Sequence, residues 1–343
     1  MSTAQETGTG TTATPDFAQR LYAWIAAETG GRDATLVNLR PVGLGRSREN
    51  WVFDLVSPGA DGTDQIEPLI VRTDPDGGLV DTDRSTEFAV LRALEHSTLP
   101  TPAVRWLDAT GEHIGRPGLV MRRASGVCDY RIVNGPLPLD VRIDLARQFC
   151  DLLAQVHGVD WADLGLGAVL ADPGPEAARF ELDRWEQVLR TDQLEAYPEL
   201  DLALLELRDW APRTSRTVLV HADFKPGNIL LEDNRVACLL DWELAHLGDP
   251  LEDVGWVTQP LRTREHLIAG AWEADDLIAR YEQVSGTHVD RLALQWWQIF
   301  STLKTAIMQV SGLRAFLEGR SDEPYRPNRR VLSTLLDALS GSN

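Results

Sequence analysis

The hydrophobic pattern of this chain changes period near Gly126, and that change restricts the fold more than any other feature. Before it, one helical stretch sets Phe17, Leu21, Trp24 and Ile25 at helical spacing. The apolar residues then fall into short runs, LVNLRPV, NWVFDLV, PLIVRTD, AVRWLDAT and RPGLVMRRA, separated by turn-forming strings such as GLGRSR and SPGADGTD. Short runs of Val, Ile, Leu and aromatic residues bounded by Gly, Pro and Asp read as strands. A second helix interrupts them. In DRSTEFAVLRALEH, with Ser85 as N-cap, Glu87 shares a face with Leu91 and Leu94, so a carboxylate looks inward.

Beyond Gly126 the runs lengthen to DVRIDLARQFCDLLAQVHGV, FELDRWEQVLR, LDLALLELRDW and RLALQWWQIFSTLKTAIMQVSGL, which repeat with the period of a helix. The expectation is an α+β chain in two parts. Residues 1–15 form a tail and 16–124 a smaller lobe, built on a five-stranded, largely antiparallel sheet with the Glu87 helix laid across it. Residues 125–343 form a larger, mainly helical lobe. Within it, VLVHAD and ACLLDW flank a Pro-Gly loop and are expected to pair as a hairpin.

The formal net charge of -19 argues against a nucleic-acid partner, which needs a field of the opposite sign. No apolar run approaches the roughly 20 residues that cross a bilayer. The N-terminal string MSTAQETGTGTTATP lacks the basic and apolar regions of a secretory signal, so the expected location is the cytoplasm. Cys128, Cys150 and Cys238 are odd in number and far apart, without CxxC spacing, and are expected as buried thiols. Monomer and homodimer both remain open.

HADFKPGN, residues 221–228, ends one apolar run, and Asp241 in LLDWE ends the next. A hairpin would bring Asp223, Asn228 and Asp241 to one edge. Two carboxylates and an amide so placed suit phosphoryl transfer, which needs positioning and neutralisation of charge more than covalent help. Asp223 can orient an acceptor hydroxyl and take its proton, while the oxygens of Asn228 and Asp241 are hard ligands suited to Mg2+. Lys225 can reach the moving phosphate as a point charge. Asp249, Pro250 and Glu252 form a helix start of cap, N1 proline and N3 glutamate, and His157 and His246 read as packed histidines.

HADFKPGNILL, LLDWELAHLGDPLEDVGW and LVMRRASG resemble the aminoglycoside phosphotransferase-like branch of the protein-kinase fold, over residues 36 to 310. DWELAHLGDPLEDVGW is especially similar to the kinase-like domains related to acyl-CoA dehydrogenase family members 10 and 11. The resemblance implies a bilobal fold with ATP as phosphoryl donor, GTP remaining open, and Mg2+ as cofactor. Asp223 matches the catalytic base, Asn228 and Asp241 the magnesium ligands, and His221 a histidine that props the loop. In the small lobe, Gly43, Gly45 and Ser47 match a phosphate-covering loop, and Arg72 stands where the fold usually carries a lysine paired with the helix glutamate, here Glu87. The backbone of Arg122 and Ala124 matches the segment that reads adenine.

About eight residues separate Asp241 from Pro250, too few for the activation segment of a protein kinase, so the acceptor is expected to be a small molecule bearing a hydroxyl. Trp296, Trp297, Phe300, Leu303, Ile307 and Met308 read mainly as core, and any that line the pocket would favour an acceptor with an apolar body, such as a hydroxyacyl metabolite. Two other functions fit the same residues: an aminoglycoside or macrolide phosphotransferase, and a nucleotide-binding pseudokinase marked by Arg72.

Overall fold

A computed structural model describes residues 15–30, 34–42, 49–59, 62–73, 84–321 and 324–341. The described residues form two compact units. One comprises those of 1–78 with 103–123, and the other those of 79–102 with 124–343.

The first unit opens with α1 (Pro15–Glu28) and continues as β1 (Thr35–Val42), β2 (Glu49–Pro58) and β3 (Asp64–Thr73). After the excursion of 79–102 into the second unit, β4 (Val104–Asp108) and β5 (Gly118–Arg122) complete an antiparallel sheet in the order β1-β2-β3-β5-β4. All five strands fall on the runs read from the sequence. Phe17, Leu21, Trp24 and Ile25 of α1 pack with Trp51, Phe53, Leu55, Leu69, Val71 and Val120 of the strands. Helix α1 therefore packs on this sheet. α2 (Arg84–Leu94) is grouped with the second unit.

In the second unit α2 buries Glu87, Val90, Leu91 and Leu94, as its spacing predicts, and begins one residue before Ser85. There follow α3 (Leu139–His157), α4 (Ala177–Asp192), α5 (Pro198–Asp209), β6 (Val218–Val220), β7 (Ile229–Glu232), β8 (Arg235–Leu239) and β9 (His246–Gly248). The chain ends with α6 (Pro250–Thr258), α7 (Thr263–His266), α8 (Ala274–Ser285), α9 (Arg291–Leu317) and α10 (Arg329–Ser340).

The hairpin differs from expectation. VLVHAD and ACLLDW do not pair with each other: β6 pairs with β9, and β7 pairs with β8. The cause is local. Asp233 and Asn234 both take left-handed dihedrals (φ 49 and 60), the requirement of a tight two-residue turn whose twist matches its strands, and this closes β7 onto β8.

Glycine permits two close approaches. A Cβ on Gly126 would lie 2.7 Å from the carbonyl oxygen of Leu231, beside the bridge between Val127 and Leu231. At Gly255 it would lie 2.8 Å from the backbone of Trp297, so α6 and α9 cross almost backbone to backbone. Trp296, Trp297 and Phe300, wholly buried, pack ring against ring at 4.8–5.4 Å, Trp296 stacked on Phe300 and Trp297 edge to face with both. With Leu303 and Ile307 they are core, while Met308 is half-buried. Cys150 and Cys238 are buried as expected, but Cys128 is exposed, because it lies in the loop between the Val127 bridge and the short helix at Ile132.

Candidate active site

Asp223, Lys225 and Asn228 lie on the loop between β6 and β7, and Asp241 lies just beyond β8. Two bonds close this local constellation. Leu240 donates its N–H to the Asn228 carbonyl at 2.8 Å, and His221 Nε2 lies 3.0 Å from the carbonyl of Leu240. They tie the residue preceding Asp241 to both ends of the 221–228 loop. The convergence read from the sequence is present, through loop-to-loop bonds in place of the expected hairpin.

Asn228 Nδ2 donates to the Asp223 carbonyl at 3.0 Å and to its carboxylate at 3.1 Å. The amide oxygen is then the one polar atom of that side chain left to face a cation, a donor as hard as the half-buried carboxylate of Asp241. Lys225 Nζ forms an ion pair with Asp223 Oδ2. His221 is fully buried. Its Nδ1 accepts the N–H of Asp223 at 3.3 Å, so its Nε2 carries the proton given to Leu240. The histidine props the loop.

Two non-glycine residues in this site, Ala222 (φ 66) and Asp241 (φ 68), take left-handed backbone that costs about 1 kcal/mol or more unless the surroundings enforce it. At Ala222 the enforcing group is Asp253 on α6, fully buried, which accepts the N–H of His221 on Oδ2 and that of Ala222 on Oδ1, each at 2.8 Å. Burial alone would raise this carboxyl, but the hydrogen bond and charge of His157, with the backbone N–H of His221, outweigh it and hold it below the usual range. His157, read as a packed histidine, bonds Asp253 at 3.1 Å and the Tyr281 hydroxyl at 2.6 Å.

Asp249 caps α6, accepting from Leu251 N and from the Thr214 hydroxyl at 2.8 Å each, as expected of a helix start. Glu252 does not complete a capping box. It turns inward to His246 at 3.0 Å and Lys304 at 3.2 Å. Sequence reasoning missed Asp253 and Lys304. The one available signal for Lys304 is a lone charge in an otherwise uncharged stretch, 292–313, of a mostly buried helix.

Of the remaining expected positions, Gly43, Gly45 and Ser47 lie outside the described residues. Arg72 lies on β3, opposite Leu119 and Asn50, in the first unit. Glu87, in the second unit, forms a buried ion pair with Arg84. Arg122 ends β5 with its N–H on the Ala103 carbonyl and its guanidinium on Glu67, and Ala124 follows two residues later at the start of the second unit. Only β9 and the cap of α6 occupy the chain between Asp241 and Pro250. No helix among the described residues is long and apolar enough to cross a membrane.

The chain is similar to several known proteins. The chain is 29% identical over 193 residues to mouse (Mus musculus) acyl-CoA dehydrogenase family member 10, a match covering 55% of this chain and 18% of that much longer protein. A candidate aminoglycoside phosphotransferase of Ralstonia eutropha JMP134 shares the fold with TM-score 0.69 and 22% identity, covering 95% of each chain. The streptomycin-ATP ternary complex of APH(2")-IIa superposes with TM-score 0.56 and 15% identity, covering 87% of this chain and 90% of its own. The profile of the phosphotransferase enzyme family (APH) matches residues 38–294, three quarters of the chain, and the chain belongs to that family.

Proposed function

We propose that this phosphotransferase moves the γ-phosphoryl group of ATP, with Mg2+, onto a hydroxyl of a small molecule, and that the acceptor is a hydroxyacyl-type metabolite. The observation that carries the reading is the grip of Asn228 on Asp223 combined with the Leu240–Asn228 bond, which puts an acidic base and two hard oxygen donors in one constellation.

In this reading the Asp223 carboxylate, aimed by Asn228, accepts the acceptor's hydroxyl proton as the oxygen attacks phosphorus. Asn228 and Asp241 would hold Mg2+, which supplies charge neutralisation between the phosphates. Lys225, a flexible point charge paired to Asp223, stands within reach of the transferred group. Arg72, Glu87, the 43–47 loop and the backbone of Arg122 and Ala124 are assigned to the nucleotide. ATP in the complex of the fold relative APH(2")-IIa supports the donor. The acceptor class is supported by the mouse relative, whose name joins this kind of domain to an acyl-CoA dehydrogenase. The aromatic residues of α9 lend it no support, because they are core.

The test is a thermal-shift titration with Mg-ATP, Mg-GTP and each nucleotide without metal, since a ligand that binds only the folded state raises the melting temperature. A metal-dependent rise is expected. No rise at about millimolar nucleotide would remove the kinase reading, and a rise without transfer to any acceptor would favour the nucleotide-binding pseudokinase. Phosphate transfer would then be screened over hydroxyacyl compounds and, as the competing class, aminoglycosides and macrolides.

A further inference from the structure

The peptide that joins Ala222 to Asp223 is held at both of its polar ends. Its N–H is the one donated to His221 Nδ1 at 3.3 Å. Its carbonyl accepts from Lys304 Nζ at 2.9 Å. Lys304 sits midway along α9 and is 2% exposed, which for a lysine requires a strong reason.

Ion pairing alone does not supply that reason. Lys304 also reaches Glu252 Oε1 at 3.2 Å, but Glu252 already has His246 at 3.0 Å, and His246 faces Glu181 at 3.6 Å while Arg184 pairs with Glu181 at 3.1 Å. Burial alone would lower His246, but the two carboxylates outweigh it and hold it at about 9, so it is a cation at neutral pH. The cluster thus counts three cations, Arg184, His246 and Lys304, against two carboxylates. The ligand atoms of Glu181, His246 and Glu252 come within 4.8 Å of one another, the spacing of a metal site, yet a dication would add charge where cations are already in excess. The surplus cation faces the Ala222 carbonyl, and the rings of Trp185 and Trp256, each 5.2 Å from Nζ, exclude water around it.

We propose that Lys304 is a positioning residue. By bonding the carbonyl of the left-handed residue Ala222 it fixes the peptide plane from which the Asp223 side chain projects, and so aims that carboxylate at the acceptor. Asp253 holds the preceding N–H groups from α6, and Lys304 supplies the complementary grip from α9. The inference rests on the reading of Asp223 as catalytic base.

The experiment compares the full-length wild type with Lys304→Met by hydrogen exchange across 221–224, by Mg-nucleotide affinity and by the rate of γ-phosphate release to water or acceptor. Expected are exchange at least about 10-fold faster in 221–224 with α10 unchanged, and phosphate release at least about 10-fold slower at a nucleotide Kd within about twofold of wild type. A residue that merely stabilises the fold would lower Tm without that split between rate and affinity. Unchanged exchange in 221–224, or release within about twofold of wild type, would overturn the proposal. A wild type that neither binds nor turns over nucleotide would sink the kinase reading and the aiming of a base with it, while the exchange arm would still show whether Lys304 holds the loop. Should Lys304→Met not fold, Lys304→Met/Glu252→Gln removes a cation and a carboxylate together and is read by the same outcomes.

Discussion

Asp253 Oδ1 accepts the N–H of Ala222 at 2.8 Å, one residue before the candidate base, while its other oxygen accepts the N–H of His221. One carboxylate thus satisfies two buried backbone donors, and no neutral side chain of that size can. Asp253→Asn offers one oxygen for two N–H groups and a weaker partner for His157. It should lose about 2–4 kcal/mol of stability by urea denaturation, with slower turnover in the fraction that stays folded.

The two acids of the site should separate by experiment. Asp223→Ala is expected to lower phosphate transfer by at least about 1,000-fold while sparing the nucleotide-induced thermal shift, because it removes the base and leaves the metal ligands. Asp241→Ala should abolish the magnesium dependence of that shift as well. Equal activity of either variant and the wild type would exclude the proposed roles.

Stability should fall on both sides of neutrality, for two different histidines. His266, buried against Phe224 and near the Arg262 cation, is held at about 3, against an ordinary 6.5. Below 6.5 the unfolded chain binds a proton that the folded chain refuses, so stability drops as pH falls from about 6.5 towards 3, at up to about 1.4 kcal/mol per unit. His246 has the opposite sign. Held at about 9, it contributes fully below 6.5, and that contribution is lost as pH rises from there through 9. Urea titrations over this range should show the acid limb flattened in His266→Phe and the alkaline limb flattened in His246→Gln.

Gly255→Ala should destabilise, against the usual gain of replacing glycine in a helix. The added Cβ would stand 2.8 Å from Trp297 atoms, and α6 would have to move away from α9 at a cost of about 1–3 kcal/mol. Thermal denaturation checks the sign.

What the sequence made legible follows the range of the interactions. The strands and helices rest on period, a local property, and all five sheet strands fall where the runs lie. Asp223, Asn228 and Asp241 share a short stretch, so their convergence could be read even though the pairing that produces it could not. β9 is three residues long and shows no period at all, and the hairpin turn at Asp233-Asn234 was not read from the sequence. Lys304 and Asp253 act on Ala222 from 82 and 31 residues away, and the allegiance of α2 depends on where the whole chain goes. None of these is encoded in a window of sequence.

The distribution of thiols has a practical side. Burial pushes Cys150 and Cys238 up to about 12, leaving them scarcely ionised at neutral pH, whereas Cys128 is exposed four residues past Ala124 and beside the Val127–Leu231 bridge. A maleimide dye added to the unaltered protein would therefore mark a single address, close in sequence to the segment assigned to adenine, and its emission could report nucleotide arrival without any engineered cysteine.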